Sequence, residues 1–380
     1  MIEQPEQPDW RRTLTAATIT IAGGGFGFTF VIPFLPLFLA RDLHVTDLGQ
    51  LAIWSGIAAS GSGFATALVA PVWGRLADRY GRRLMVLRAT GVAGVMTIAL
   101  SICQTPLELA IARLLMGLGS GLTSASNALV ASQAPKERVA WALGIMSSAL
   151  AIGAALGPFI GGVLGSFVAV RVVIFAAGVA LLLTAVPMLA VRETAPIGGH
   201  RRPPRLRAAL AATRPGTGRT VAALIVAQGL VQIAYYGAQP LVVLRILSLH
   251  TGNAPLLTGI TFGLAGAGTG LAGLVYSGPV TRVGYRRFGM ATAALMAVAL
   301  AGAAFAPSLW LLMAATAVTG LLYGALNPTI ASMLGVESPR EVQATVFGWN
   351  GSAFSLGAAA GPLTGGFLAA ALGILSLIHI

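Results

Sequence analysis

The chain is 380 residues long, 56% of its residues are hydrophobic and only 9% are charged, and its mean hydropathy is +0.83. A water-soluble core cannot hide this much apolar surface, so the composition excludes a soluble protein and requires lipid around most of the chain. A net charge of +13 would favour nucleic acid in a soluble protein. In a membrane protein it reports topology instead, and no nucleic-acid partner is expected.

Eleven apolar segments, numbered spans 1 to 11, are long enough to cross a hydrocarbon core of about 30 Å as helices. The predicted spans are Leu14–Ala40, Leu51–Trp73, Leu84–Cys103, Leu107–Ala131, Ala140–Phe167, Val170–Val191, Thr220–Leu247, Leu256–Ser277, Phe288–Ala306, Leu309–Met333 and Val342–Ala371. Acidic residues (Glu3, Glu6 and Asp9) precede span 1, which is longer than a signal-peptide core, so span 1 is predicted to stay in the mature protein.

The basic residues predict the orientation of the chain. With the N-terminus in the cytoplasm, 20 of the 24 basic residues fall in cytoplasmic segments or at cytoplasmic helix ends. Arg41, Arg171 and Arg245 then face the outside, and Arg113 lies deeper within a span. This excess of positive charge on the inner side predicts a multi-pass protein with a cytoplasmic N-terminus.

One long polar break, Arg192–Arg219, separates spans 6 and 7. It contains seven arginines, four prolines and four glycines and is predicted to be a flexible cytoplasmic linker. Residues 1–191 therefore form a first bundle with spans 1 to 6. Residues 220–380 form a second bundle with spans 7 to 11.

The two sides of the linker carry an internal repeat. A proline, a basic residue and a glutamate, followed by spaced glycines, occur twice at a separation of 204 residues. An asparagine with Ala-Ser beginning four residues later also occurs twice, at a separation of 200 residues. The matching positions are Pro135–Glu137, Gly144, Gly153, Gly157, Pro158, Gly161 and Gly162 with Pro339–Glu341, Gly348, Gly357, Gly361, Pro362, Gly365 and Gly366, and Asn127 with Asn327. Such a repeat predicts two parallel bundles with a binding site between them.

The connection between spans 2 and 3 carries a glycine-rich basic motif, GRLADRYGRR, from Gly74 to Arg83. Its glycines are expected to permit a tight reversal, its last arginines to hold the loop inside, and its aspartate to pair with an arginine or cap a helix. The equivalent stretch of the second half, from Gly278 to Arg287, lacks the aspartate, so the motif is predicted to act as a conformational latch in the first half only. The predicted conformational latch is Gly74, Asp78, Arg79, Gly81, Arg82 and Arg83.

Span 5 contains small residues at helical spacing. Gly153, Gly157 and Gly161 share one helix face and predict a groove for a neighbouring helix, while Pro158 removes a backbone donor. With Gly162 they form a predicted helix-packing motif, for which plain packing without a further role is the alternative.

Arg113 in span 4 is followed by Gly117, Gly119 and Gly121. A charge at this depth is costly and predicts a functional role. The alternative is an arginine that reaches the outer surface along its own stem.

The polar residues Gln228, Gln232, Tyr235 and Gln239 form a stripe on one face of span 7, which predicts one wall of the binding site. Amides facing lipid cost free energy, so this stripe should face protein or a water-filled cavity. Three phenylalanines of span 1 are expected to supply an apolar wall. The predicted cavity residues are Gln228, Gln232, Tyr235 and Gln239, with Phe26, Phe30, Phe34, Asn127 and Asn327. The alternative is that the glutamines only bind neighbouring helices.

These motifs resemble those of the major facilitator superfamily. The Gly74–Arg83 stretch is similar to its loop signature, the span 5 glycines to the signature of its drug:proton antiporter branch, and Arg113 to its buried-arginine motif. Nearly the full chain resembles the MdtG-type multidrug exporters of that superfamily, most strongly in residues 30–165, which include Val31–Leu37 and Trp54–Ile57.

The resemblance implies an all-α bacterial inner-membrane protein with two six-helix bundles related by a pseudo-two-fold axis. It implies proton-driven export of small molecules by alternating access, through a cavity lined by spans 1, 4, 7 and 10. The single cysteine, Cys103, excludes an intramolecular disulfide and offers no metal cluster. A monomer without a cofactor is expected. Arg113, the one charge predicted deep within a span, is expected to favour neutral or anionic amphipathic substrates over polycations.

Two features depart from this pattern. A twelfth span does not fit after Gly366, so a truncated second bundle is expected. The eleven acidic residues all fall in connecting segments or at predicted helix ends, so none is placed mid-membrane to carry a proton. A passive or differently coupled exporter is therefore the alternative.

Two further classes of membrane protein are alternatives to a transporter. A membrane enzyme would need a buried reactive constellation, but the histidines His44, His200, His250 and His379 fall in loops or near the C-terminus and Cys103 is the only cysteine. A non-transporting membrane receptor is the other class, and uptake into liposomes would separate it from a transporter.

Overall fold

The computed structural model describes residues 9–135, 137–193, 217–249, 252–338 and 343–372, and their regular structure is entirely helical. The helices are Trp10–Arg41, Leu48–Tyr80, Arg82–Ile102, Pro106–Leu118, Leu122–Gln133, Val139–Phe167, Val170–Thr184, Val186–Leu189, Thr217–Leu249, Ala254–Val275, Ser277–Val283, Tyr285–Ala304, Leu309–Glu337 and Gln343–Leu372. Within the described residues eleven segments are long and apolar enough to cross a membrane, which confirms the predicted number.

Span 4 differs from the prediction of one continuous helix over Leu107–Ala131. It consists of Pro106–Leu118 and Leu122–Gln133, and the intervening residues are not helical. Gly121 has a φ of +114°, a left-handed conformation that glycine adopts without the steric penalty of a side chain. Closely spaced glycines weaken a helix, which explains why the break occurs at this point.

Consecutive spans run in opposite directions, so their connections alternate between two ends of the molecule. We call the end with Arg41, Phe167 and Ala254 the Arg41 end, and the end with Arg82 and Val139 the Arg82 end. The bulk of the predicted linker, residues 194–216, lies outside the described residues. The proposed division into residues 1–191 and 220–380 is therefore kept as a prediction.

The buried side chains form three cores whose positions show how the halves meet. The shared core draws on both halves toward the Arg41 end, where its members include Leu37, Leu51, Val170, Val243, Ile246 and Leu312. At the Arg82 end each half has a core of its own, with Leu14, Val86, Leu129 and Met188 in the first and Val221, Met296, Ile330 and Leu334 in the second. The halves are therefore joined at the Arg41 end and separate at the Arg82 end.

Two helix pairs make the main contacts between the halves, span 5 with span 8 and span 2 with span 11. Small residues allow these backbones to approach closely, which is how helices associate in lipid. A Cβ added to Gly63 would lie 2.6 Å from the Cβ of Ala359, and one added to Gly56 would lie 2.5 Å from the carbonyl oxygen of Pro362. Bulky residues at these glycines would hold the halves apart.

Equivalent hydrogen bonds occur in both halves, as the sequence repeat predicts. Thr66 of span 2 donates to the carbonyl of Gly117 in span 4 at 3.4 Å. Thr269 of span 8 donates to the carbonyl of Gly320 in span 10 at 2.8 Å. Spans 2 and 4 therefore correspond to spans 8 and 10, and the all-α fold of two repeated helical bundles is confirmed.

The lipid-facing sides of the two halves differ. In the first half span 6 packs on spans 1 and 3, and Thr20 donates to the carbonyl of Thr184 at 2.8 Å. In the second half spans 7, 9, 10 and 11 line a groove of about 390 Å³ that includes Leu241, Leu300 and Leu368 and that no described helix fills. The expectation that a twelfth span is missing falls on residues 373–380, which lie outside the described residues.

Candidate functional site

A cavity of about 390 Å³ lies between the two halves. Spans 1, 5, 7, 8 and 10 contribute its walls: Thr29, Ile32, Pro33, Ser147, Ser148, Ala151, Ala154, Ala155, Pro158, Tyr235, Tyr236, Gln239, Phe262, Gly266, Thr269, Gly270, Gly273 and Tyr323. The halves join at the Arg41 end and separate at the Arg82 end, and the cavity lies in the space between them.

The lining is uncharged. Among its described residues the polar groups are hydroxyls and one carboxamide, and no lysine, arginine, histidine, aspartate or glutamate takes part. Two of the hydroxyls are used in helix packing, because Thr29 donates to the carbonyl of Ala154 and Thr269 to that of Gly320, each at 2.8 Å. The cavity therefore offers aromatic rings, small apolar groups and a few neutral hydrogen-bonding groups.

Three tyrosines of the second half form an aromatic cluster at the cavity wall. The rings of Tyr235 and Tyr323 stack, with centroids 3.7 Å apart and an interplanar angle of 7°. The ring of Tyr236 stands almost perpendicular to both, with centroids 5.3 and 6.4 Å away. Of the three, sequence reasoning found only Tyr235. Tyr323 lies four residues before the predicted Asn327, on the same face of span 10, and this spacing was the available signal.

A hydrogen-bond network behind the cluster joins span 7 to span 10. Gln228 and Gln232 both donate to the side-chain oxygen of Asn327, at 2.7 and 2.9 Å. The hydroxyl of Tyr323 donates to Gln232 at 2.6 Å. Gln228 and Gln232 are only 1% and 0% exposed and bond to span 10, while Gln239 lines the cavity. A role for Gln228 and Gln232 in substrate binding stays a prediction.

The predicted phenylalanines of span 1 stack on one another. The ring centroids of Phe26 and Phe30 are 6.0 Å apart, and those of Phe30 and Phe34 are 5.1 Å apart. Phe30 and Phe34 are buried, and a Cβ added to Gly161 of span 5 would collide with the ring of Phe30. The stack therefore packs against span 5, and none of its members is among the described cavity-lining residues.

Two predicted residues of span 4 are also placed away from the cavity lining. The side chain of Arg113 is fully buried, and its Nε donates to the carbonyl of Ala58 in span 2 at 3.1 Å. Its Nη1 lies 3.7 Å from the sulfur of Met116, and its Nη2 has no hydrogen-bond partner. Asn127 is half-buried in the second segment of span 4. A role for either residue in binding stays a prediction.

The glycines of span 5 form the contact surface for span 1. A Cβ added to Gly157 would lie 2.8 Å from both the carbonyl oxygen of Phe26 and the hydroxyl of Thr29, and one added to Gly153 would collide with the carbonyl of Ala22. Gly162 faces the opposite way and meets span 8 of the second half. Pro158 lines the cavity within a continuous helix.

The basic motif between spans 2 and 3 is more helical than its glycines predicted. The helix of span 2 runs through Gly74 to Tyr80, so the expected loop conformation at Gly74 is wrong. A single residue, Gly81, makes the reversal with a φ of +94°. Arg79 is exposed, and the side chain of Asp78 lies outside the described part of the structure, so its pairing stays a prediction.

Glu193 holds this motif in place and was not identified from the sequence. Its two carboxylate oxygens accept the backbone N–H groups of Arg82 and Arg83, each at 2.8 Å. These N–H groups begin span 3, where an acceptor with negative charge is stabilising. Arg83 in turn donates to the carbonyls of Met188 and Leu189 at 3.1 and 2.6 Å. The motif is thus bound to the end of span 6.

The break in span 4 is also held by side chains. The indole of Trp73 donates to the carbonyl of Leu118 at 2.7 Å, and Arg88 donates to the carbonyl of Ser120 at 2.7 Å. The guanidinium of Arg88 lies 3.3 Å from the ring centroid of Trp73. Carbonyls released by the break therefore find partners, as buried backbone groups in a membrane protein must.

Two helical bundles of membrane-spanning length that enclose a cavity, joined at one end and separate at the other, define a transporter of the two-bundle class. The family model of the Major Facilitator Superfamily matches residues 17–223 and 224–380. The chain belongs to this superfamily, whose members are transporters and not enzymes.

Curated relatives are similar over almost the whole chain. The multidrug resistance protein MdtG of Escherichia fergusonii is 30% identical over 374 residues, which cover 98% of this chain and 91% of that protein. MdtG of Enterobacter lignolyticus is 30% identical over 370 residues, covering 96% and 87%. The predicted resemblance to MdtG-type proteins is confirmed.

Solved structures share the fold at low sequence identity. The nucleoside transporter NupG aligns with a TM-score of 0.77 at 12% identity, over 96% of this chain and 92% of that one. A bacterial homologue of the human lysosomal transporter Spinster, inward-facing and unoccupied, aligns with a TM-score of 0.71 at 18% identity, over 97% and 84%.

Proposed function

We propose that this chain exports small amphipathic molecules, above all neutral ones, from a bacterial cell by alternating access. The carrying observation is the uncharged cavity of about 390 Å³ between halves that share a core at the Arg41 end. The name of the MdtG relatives supports multidrug efflux. Arg113 predicted anionic substrates as well, but its side chain is enclosed between spans 2 and 4, and the described lining offers an anion no positive charge.

The proposal includes the bacterial inner membrane, a cytoplasmic N-terminus and a monomer. In this orientation the Arg82 end faces the cytoplasm, in agreement with the positive-inside bias. The cavity then receives substrate from the inside, and the shared core at the Arg41 end blocks the outside. Export requires the halves to separate at the Arg41 end and meet at the Arg82 end.

Exchange for protons is the proposed coupling, by resemblance to the drug:proton antiporter branch. A passive or differently coupled exporter is the second candidate, because the described cavity lining contains no carboxylate or imidazole that could carry a proton. A non-transporting receptor would need the same cavity without the conformational cycle.

Efflux of a fluorescent probe from whole cells tests the proposal. Bacteria that lack their main efflux systems and express this chain are loaded with N-phenyl-1-naphthylamine, an uncharged amphipathic dye, and then energised. We expect faster loss of dye than in vector controls. Export that persists with a protonophore would favour the uncoupled candidate, and efflux equal to the vector control would contradict transport of this class.

A matched pair of variants links export to the cavity. Ala151 lines the cavity, whereas its neighbour Ile152 is 59% exposed and does not. Ala151→Trp should fill the cavity and abolish dye export, while Ile152→Trp should retain it. Equal export by both variants would place the substrate path elsewhere.

A further inference from the structure

The geometry of the tyrosine cluster points to recognition of flat, uncharged aromatic rings. We propose that Tyr235, Tyr236 and Tyr323 form an aromatic binding site at the second-half wall of the cavity, with Gln239 as a hydrogen-bonding neighbour. This inference rests on the proposed function and specifies its substrate class.

The cluster has the arrangement that an aromatic site needs. Offset-stacked and edge-to-face contacts are the favourable geometries between aromatic rings. Tyr235 and Tyr323 already stack at 3.7 Å, and Tyr236 stands edge-on to both. All three line the cavity, and Tyr235 and Tyr236 are partly exposed to it. A planar ring entering the cavity meets aromatic surface whose orientation is set before it binds.

The network behind the cluster sets this orientation. The hydroxyl of Tyr323 donates to Gln232, and Gln232 donates to Asn327, so the ring of Tyr323 cannot rotate freely. The stacked ring of Tyr235 rests on Tyr323. Gln232 and Asn327 are therefore positioning residues, which act on a ligand through Tyr323. Ordering the site in advance reduces the entropy lost on binding.

The same surroundings disfavour charged ligands. Tyrosine faces attract cations, but one face of Tyr235 is covered by Tyr323, and the described lining has no carboxylate to neutralise a cation. It has no basic residue to neutralise an anion either. Moving an ion from water into such a site costs free energy that the contacts in the site do not offset.

Ligands that share one two-ring carbon skeleton but differ in aromaticity or charge test the preference for aromatic rings and the preference for uncharged molecules separately. The purified chain in nanodiscs is equilibrated with N-phenyl-1-naphthylamine, and the dye is displaced by 2-naphthol, its saturated analogue decahydro-2-naphthol, 2-naphthalenesulfonate or 2-naphthyltrimethylammonium. We expect 2-naphthol to displace the dye at a concentration about three- to ten-fold lower than the saturated analogue, the size of an aromatic contact. Both ions should be weaker than 2-naphthol.

Variants separate recognition from positioning. Tyr236→Leu should abolish the preference for 2-naphthol over its saturated analogue, and Tyr236→Phe should keep it. Gln232→Leu should reduce the preference by freeing Tyr323, although it removes no group from the cavity lining. Tyr285→Leu, a tyrosine outside the lining, is the control and should change nothing.

Dye displacement from the wild-type chain tests the aromatic site even if a variant fails to fold. Equal displacement by 2-naphthol and its saturated analogue would overturn the aromatic site while leaving export of neutral molecules intact. Stronger displacement by the cation would overturn the uncharged class. Absence of dye export from cells, by contrast, would count against the proposed function itself.

Discussion

Gly162 of span 5 and Gly259 of span 8 touch backbone to backbone across the boundary between the two halves. A Cβ added to Gly162 would lie 2.5 Å from the Cα of Gly259, and one added to Gly259 would lie 2.6 Å from the Cα of Gly162. No side chain fits between them. This contact lies near the Arg41 end and contributes directly to its closure.

Gly162→Val should therefore open the Arg41 end. Spin labels on cysteines introduced at Val168 and Asn253, in a Cys103→Ser background, report the separation of spans 5 and 8. We expect the distance distribution to shift to longer values, because a branched side chain cannot fit between two backbones in contact. Gly144→Val is the control, since a Cβ at Gly144 has nothing within 4 Å. An unchanged distribution in Gly162→Val would contradict this role.

Gly157→Leu should destabilise the first half. The added Cβ would lie 2.8 Å from the carbonyl oxygen of Phe26, and that backbone atom cannot move aside without displacing span 1. Overpacking of this kind costs about 1–3 kcal/mol. Thermal unfolding in detergent should show a lower midpoint than for Gly144→Leu in the same helix. A Gly157→Leu protein with wild-type stability and export would show that span 1 can shift freely.

Glu193→Gln should weaken the attachment of the basic motif. Glutamine retains one acceptor oxygen where the carboxylate has two, so one of the N–H groups of Arg82 and Arg83 loses its partner. The expected loss of stability is about 1 kcal/mol, together with slower dye export. Glu337→Gln, an exposed glutamate at the same end, is the control. Equal unfolding midpoints for the two variants would sink the prediction.

Trp73→Phe should loosen the break in span 4. Phenylalanine retains a ring beneath the guanidinium of Arg88 but cannot donate to the carbonyl of Leu118. A lost hydrogen bond of this type costs about 0.5–1.5 kcal/mol, and amide hydrogen exchange near Gly121 should accelerate. Trp141→Phe changes an exposed tryptophan and serves as the control. Exchange as slow as in the wild type would show that Arg88 alone holds the break.

Arg113→Gln tests whether the buried arginine binds substrate. Because its side chain is fully buried and contacts Ala58 and Met116, we expect less folded protein and an unchanged ratio of 2-naphthalenesulfonate to 2-naphthol binding. Leaving the carbonyl of Ala58 without its donor costs about 1–3 kcal/mol. A selective loss of the sulfonate would instead restore the predicted role of Arg113 as an anion partner.

The sequence by itself determined the membrane class, the eleven spans and the two-fold repeat of the described chain. These properties follow from hydropathy and residue spacing, which are read along the chain without knowledge of neighbours. The turn at Gly81 was predictable for the same reason, because a positive φ is a local requirement that glycine meets.

Only the tertiary structure decided which neighbouring helix the polar residues of a span contact. A polar stripe in lipid must face either protein or water, and periodicity cannot choose between them. Gln228 and Gln232 turned out to bind Asn327, and Arg113 is enclosed by span 2. The pairing of Tyr235 with Tyr323 joins residues far apart in the chain. Such contacts depend on how whole helices rotate and pack, which no local pattern encodes.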